Sequence, residues 1–189
     1  GLQPTANPEV IFNNMPDIDY LISGESELVL NQIANVFPNK KEITQIEGVS
    51  YVKNKKFFKN KHQKIINDLD LISPYDYSIF SKQTFLRPYN GKVIKAVDFE
   101  LSRGCIYTCS YCVETVIQKY YGFNEKNKKG TLISAKSYLR NKSAKVIFKE
   151  IENLNKDFDI ELFRCQDTNF LTIDRKMLTE LAEYINTSK

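Results

Sequence analysis

Cys105, Cys109 and Cys112 stand in a C-x3-C-x2-C pattern, so three of the chain's four cysteines fall within one stretch of eight residues. A structural zinc site takes four protein ligands, usually as two close pairs, and no second Cys or His pair follows this one. A disulfide framework is the device of small secreted chains, a class to which this composition does not point. Three thiolates on a 4Fe-4S cube leave one of its four irons without a protein ligand. The expected chemistry is therefore an iron–sulfur cluster with one open iron. Three thiols buried in a core are the plainer reading, but that reading does not account for their crowding into a single loop.

The elements that must position this loop follow from periodicity. Val93 to Phe99 nearly alternates apolar and polar residues, which predicts a β-strand ending just before the cysteines. Ser143 is placed to cap a helix in which Val146, Ile147, Ile151 and Leu154 share one face. Asp159 to Cys165 alternates as a second strand and is followed by the polar turn Gln166-Asp167-Thr168-Asn169. A helix from Asp174 to Ile185 comes next, with Met177, Leu178, Leu181, Ala182 and Ile185 turned inward. Strand, helix, strand, helix is a parallel βα succession, in which working groups gather at the C-terminal ends of the strands. By that rule the cysteine loop and the turn at residues 166–169 face one mouth. Cys165, on the second strand, reads as a buried thiol, since a fourth thiolate would close the open iron.

With Tyr111 at the aromatic position and Ser102-Arg103-Gly104 as its lead-in, the loop resembles that of the radical S-adenosylmethionine (radical SAM) superfamily. The resemblance implies that Cys105, Cys109 and Cys112 each bind one iron, while the amino and carboxylate groups of S-adenosylmethionine chelate the fourth. Reductive cleavage of that cofactor would then give a 5′-deoxyadenosyl radical, with flavodoxin or ferredoxin as the kind of reductant. Tyr111, Asp167, Asn169 and Arg140 are the implied cofactor-binding residues. Asp167 is the candidate acceptor of the methionyl amino group, because Cys165 to Phe170 resembles the Asp-Asp-x-x-Phe form of one subfamily. Arg140, with Lys142 and Ser143, resembles an Arg-x-x-Ser stretch that reaches the cofactor carboxylate, with a surface salt bridge as the alternative.

That subfamily carries a cobalamin-binding, Rossmann-like domain ahead of the radical SAM core. Gly1, Pro4, Thr5, Pro8, Glu9, Asp19, Gly24, Glu25 and Glu27 fit the order of its closing segment, which makes Gly1, Leu2 and Thr5 candidates near a cobalamin nucleotide tail. Gly24-Glu25 reads equally as a helix-capping turn. Tyr20 to Ile22 is expected as a short strand, and Leu28, Val29, Ile33, Val36 and Phe37 recur at helical spacing, giving one strand–helix unit of an open α/β sheet. Gly48 to Phe58 reads as a hairpin turning at Lys53 to Lys56. Asp68 to Tyr77 resembles the subfamily's interdomain linker. The expected architecture is α/β. Residues 1–40 form the C-terminal end of a Rossmann-like cobalamin-binding domain, residues 41–92 a linker with a β-hairpin, and residues 93–189 the first βα units of a radical SAM (β/α) partial barrel.

The composition is that of a folding globular sequence, with 42% hydrophobic residues. No apolar run reaches membrane-spanning length, so a cytoplasmic protein is expected and no membrane partner. The net charge of +4 is spread over lysine-rich segments. It reads as a solvated surface, as do His62 among its lysines and the tyrosine- and lysine-rich stretch 114–130, so nucleic acid is not expected as a partner. The function expected is that of a radical SAM enzyme fragment acting on a small molecule or peptide, of the cobalamin-dependent methyltransferase or C–H/C–C modifying kind. An oxidative cyclase or methylthiotransferase is one alternative, and a non-catalytic iron–sulfur electron-transfer module is another.

Overall fold

The computed structural model describes residues 1–123, 125–130 and 133–188. The chain gathers into two compact units, Gly1–Asn67 with Tyr107–Ala135 and Asp68–Ile106 with Lys136–Lys189.

The first unit opens with the short helices α1 (Leu2–Ala6) and α2 (Pro8–Asn14), the latter started by a proline whose fixed φ suits a first helical position. Strand β1 (Tyr20–Ile22) leads into α3 (Glu27–Val36) and α4 (Lys40–Ile43), then into β2 (Val49–Lys53) and β3 (Lys56–Lys59). Helix α5 (Glu114–Tyr120) also belongs here and packs against α1. The hairpin turns at Asn54 and Lys55, whose φ values of 51° and 61° match the twist of the flanking strands, as the sequence predicts. The sheet runs β1-β2-β3, antiparallel throughout. Here the strand–helix expectation is corrected. After α3 the chain turns through α4, and β2 returns against β1, pairing Leu21 with Ser50, so β1 is no part of a parallel sheet among the described residues. Val29, Ile43 and Val49 form the core, whereas Leu28 and Phe37 face solvent because α3 offers the sheet a narrower stripe than their spacing suggests.

The second unit begins with three 3-10 turns. Leu69 in the first is buried, and Asp70 accepts a hydrogen bond from the Ser143 amide at 2.8 Å. Strands β4 (Leu86–Tyr89) and β5 (Lys92–Phe99) form a tight hairpin about Asn90-Gly91, both at positive φ. The short strand β6 (Ser102–Arg103) follows. Beyond α6 (Ala135–Tyr138), strand β7 (Arg140–Asn141) pairs antiparallel with β6, and α7 (Ala144–Phe158), β8 (Leu162–Cys165) and α8 (Arg175–Thr187) complete the unit. Strand β8 runs parallel to β5, with Phe99 opposite Cys165, so β5–α7–β8–α8 is the expected βα succession.

The Ser143 capping expectation holds, its Oγ accepting from the Val146 amide, and α8 begins one residue later than expected because Asp174 is its cap. The second strand is shorter than its alternation suggests because Asp159 takes the left-handed conformation (φ 54°) that ends α7. Val97, Phe99, Leu101, Ile147, Leu154 and Leu181 centre the core. Ala182 and Ile185 are exposed, since the last turns of α8 engage α7 through Tyr184, stacked on Phe148 at 5.6 Å.

Candidate functional site

The approach to Cys105 is fixed from several directions, all within the second unit. Leu101 and Ser102 follow β5, and Asp167 follows β8. Asp167 Oδ1 accepts from the Leu101 amide (3.1 Å), the Ser102 amide (2.6 Å) and Ser102 Oγ (2.6 Å), while Oδ2 lies 3.3 Å from the Leu101 nitrogen. On the other side the Leu101 carbonyl accepts from the Lys142 amide at 2.9 Å, next to the β6–β7 pair. Arg103 is paired with Glu100 at 2.7 Å.

Gly104 then turns the chain at φ 96°, and a Cβ there would sit 2.5 Å from the Tyr138 carbonyl oxygen. That same carbonyl accepts from Arg140 Nε at 3.0 Å. Arg140 is only 8% exposed, so it is not a surface residue, and its guanidinium lies over the Tyr138 ring. Lys142 is also buried, held at 2.8 and 3.1 Å by the buried Glu150 and 5.3 Å from the Phe99 ring centroid. Cys105 itself is buried at the end of this approach.

The rest of the loop lies in the first unit and is anchored at its ends. The Gly130 carbonyl accepts from Thr108, through the amide (3.1 Å) and Oγ1 (2.6 Å). The buried Gln118 donates to the Tyr107 carbonyl at 2.8 Å, and Thr115 Oγ1 donates to that of Cys112 at 2.8 Å. Between these anchors Cys109 is exposed, Cys112 half-buried and Tyr111 90% exposed.

None of the four cysteines is in a disulfide. Among the described residues no three His, Cys, Asp or Glu side chains gather closely enough to hold a single metal ion. A cube distributes its thiolates over different irons, so ligands suited to it need not converge on one point. The donor set, three soft thiols on one short loop, fits such a cluster. Cys165 is exposed, not buried as expected, because it ends β8. The partial burial that its thiol keeps, and then the Asp167 carboxylate, push its pKa above the ordinary thiol value.

The remaining sequence candidates are Gly1, Thr5 and Asn169. Thr5 is buried; its Oγ1 donates to the Gly1 carbonyl (2.6 Å) and accepts from the Gly24 amide (2.7 Å). The Gly1 amino group donates to the Ile22 and Gly24 carbonyls, and burial lowers its pKa. Gly24 (φ 79°) has no room for a Cβ, which would collide with Tyr121 Oη. Tyr121 Oη accepts from the Glu25 amide at 2.6 Å, and Tyr120 donates to the Ser23 carbonyl at 3.3 Å. Burial, then the nearby Glu47, raise the Tyr120 pKa to about 12. Gly1, Thr5 and Gly24 thus meet at one turn, closed by tyrosines that the sequence reading left in a solvated segment. His62 is exposed, as expected, beside the Tyr120 ring. Asn169 is half-buried, and its carbonyl accepts from Thr172 Oγ1 at 2.8 Å.

No family model matches the chain. Over 186 residues, 98% of its length, it is 24% identical to an anaerobic magnesium-protoporphyrin IX monomethyl ester cyclase of Synechocystis sp., of which it covers 32%. Over 112 residues, 59% of the chain, it is 26% identical to an uncharacterized methyltransferase of Pyrococcus horikoshii, of which it covers 24%. The cobalamin-dependent S-adenosylmethionine radical enzyme OxsB with aqua-cobalamin bound is similar in structure at a TM-score of 0.65 and 18% identity, over 97% of this chain and 23% of that one.

In sequence the chain is thus distantly similar to a cyclase and a methyltransferase, and in fold to part of cobalamin-dependent radical SAM enzymes. A second solved relative, the radical SAM methyltransferase TsrM from Kitasatospora setae with cobalamin and a 4Fe-4S cluster bound, gives a TM-score of 0.57 over 99% of this chain and 32% of that one, at 15% identity. The chain spans about a third or less of the length of these relatives. The α/β fold is shared with that part of them. Among the described residues no helix is long and apolar enough to cross a membrane.

Proposed function

We propose that this chain is the cluster-bearing part of a cobalamin-dependent-type radical SAM enzyme. Cys105, Cys109 and Cys112 would hold a 4Fe-4S cluster and leave one of its irons for S-adenosylmethionine. The observation that carries this reading is the C-x3-C-x2-C loop, with no cysteine in a disulfide, following a strand of a parallel pair. Residues 1–40 then correspond to the end of a cobalamin-binding domain, 41–92 to a linker with a hairpin, and 93–189 to the start of the (β/α) barrel.

When bound, the cluster and S-adenosylmethionine would supply reductive radical chemistry toward a small-molecule or peptide substrate, with flavodoxin or ferredoxin as the kind of electron donor. The protein's part is to orient the loop and limit water. Arg140 braces the Tyr138 carbonyl against which Gly104 turns, and Thr108 and Gln118 anchor the far side of the loop. Tyr111, exposed in this structure, is available to cover the cofactor. Anaerobic reconstitution with iron and sulfide tests the proposal: a 4Fe-4S absorbance in the wild type, lost in Cys105→Ala, supports it, and equal spectra discard it. The cyclase and methyltransferase relatives support two reaction types, which product analysis on the longer homologues separates.

A further inference from the structure

Asp167 lies two residues beyond Cys165, and Leu101 two beyond Phe99, which is the residue paired with Cys165 in the β5–β8 ladder. The two strands therefore end in register, with the Gln166 amide still donating to the Phe99 carbonyl at 2.9 Å. Past that point backbone pairing stops and a side chain takes over. Asp167 Oδ1 accepts the next two amides of the departing chain and the Ser102 hydroxyl as well. Hydrogen bonds to an ionised acceptor are short and about twice as strong as neutral ones. Two of these are 2.6 Å long. Ser102 is buried, and Cys105 follows it by three residues.

We propose that Asp167 is a positioning residue: it continues the β5–β8 ladder with its carboxylate and sets the direction in which the chain enters the cysteine loop. This role rests on the cluster reading above and is carried by Oδ1, which already accepts three hydrogen bonds, rather than by contact with the methionyl amino group. The aspartate reach suits the task. A glutamate would push the carboxylate about one methylene further into Leu101 and Ser102, while an asparagine keeps an acceptor oxygen at the same place.

Two measurements on the full chain test this. In the unloaded protein, Asp167→Ala is expected to speed hydrogen exchange of the Leu101 and Ser102 amides about tenfold, with Asp167→Asn retaining most of the protection. In the reconstituted protein, Asp167→Ala is expected to lower cluster content and change the electron paramagnetic resonance signal before any S-adenosylmethionine is added, and Asp167→Asn to restore both. Unchanged exchange in Asp167→Ala overturns the proposal. So does an unchanged cofactor-free signal combined with loss of the S-adenosylmethionine effect in both variants, which makes Asp167 the amino-group acceptor. Should Asp167→Ala not fold, Ser102→Ala takes its place: faster exchange at Leu101 supports the clamp, and none overturns it. If the wild type takes up no cluster, the functional reading fails while the exchange experiment still decides the role of Asp167.

Discussion

The stretch that leads into Cys105 and the stretch that carries Cys109, Tyr111 and Cys112 belong to one motif but are built on opposite principles. From Leu101 to Arg103 the backbone and the Ser102 hydroxyl are held by Asp167 and by the pairing with β7, and Gly104 turns against the Tyr138 carbonyl. From Cys109 to Cys112 the side chains are open, with Tyr111 exposed, and only the ends of the stretch are tied down. Direction of the chain is fixed by the protein alone in the first case. In the second, the side chains of the stretch are left open to solvent. A loop made this way has one cysteine preset and two less constrained.

The largest break in this comparison is expected from Lys142→Ala, which leaves Glu150 as a buried charge without its partner. Loss of one member of such a pair costs about 3–5 kcal/mol, read by urea unfolding of the unloaded chain. Gly104→Ala comes next. Left-handed backbone at a non-glycine residue costs about 1–3 kcal/mol, and the Tyr138 carbonyl must also move, so the variant should unfold at distinctly lower urea even without iron. Tyr111→Ala should change stability least, by less than about 0.5 kcal/mol, since the ring touches little. If Tyr111→Ala destabilised the unloaded chain as much as Gly104→Ala, the contrast between the preset and the open stretch would be lost.

Much of this was legible in the residues. The three-cysteine spacing, the β5 alternation, the Ser143 cap and the hairpin at Asn54-Lys55 are local signals, and local signals survive folding. The Asn90-Gly91 turn was equally readable as a two-residue hairpin, but the polar composition around it led to its being read as linker. What could not be read is long-range. Periodicity marks Tyr20 to Ile22 as a strand without saying which neighbour it meets, and the antiparallel partner Val49–Lys53 is set by how α3 and α4 return the chain. Nothing near Lys142 announces Glu150, which depends on the first turns of α7 passing beneath β7. Asp167 was visible as a polar residue after a strand, yet its hydrogen bonds lie 65 and 66 residues away along the chain.

The most direct test of the central claim is electron paramagnetic resonance of the anaerobically reconstituted, reduced chain with and without S-adenosylmethionine. A 4Fe-4S signal that shifts when the cofactor is added is the predicted result, because only an iron without a protein ligand can take up its amino and carboxylate groups. A chain that binds zinc and no cluster, or one whose cluster signal is indifferent to S-adenosylmethionine, would contradict the account.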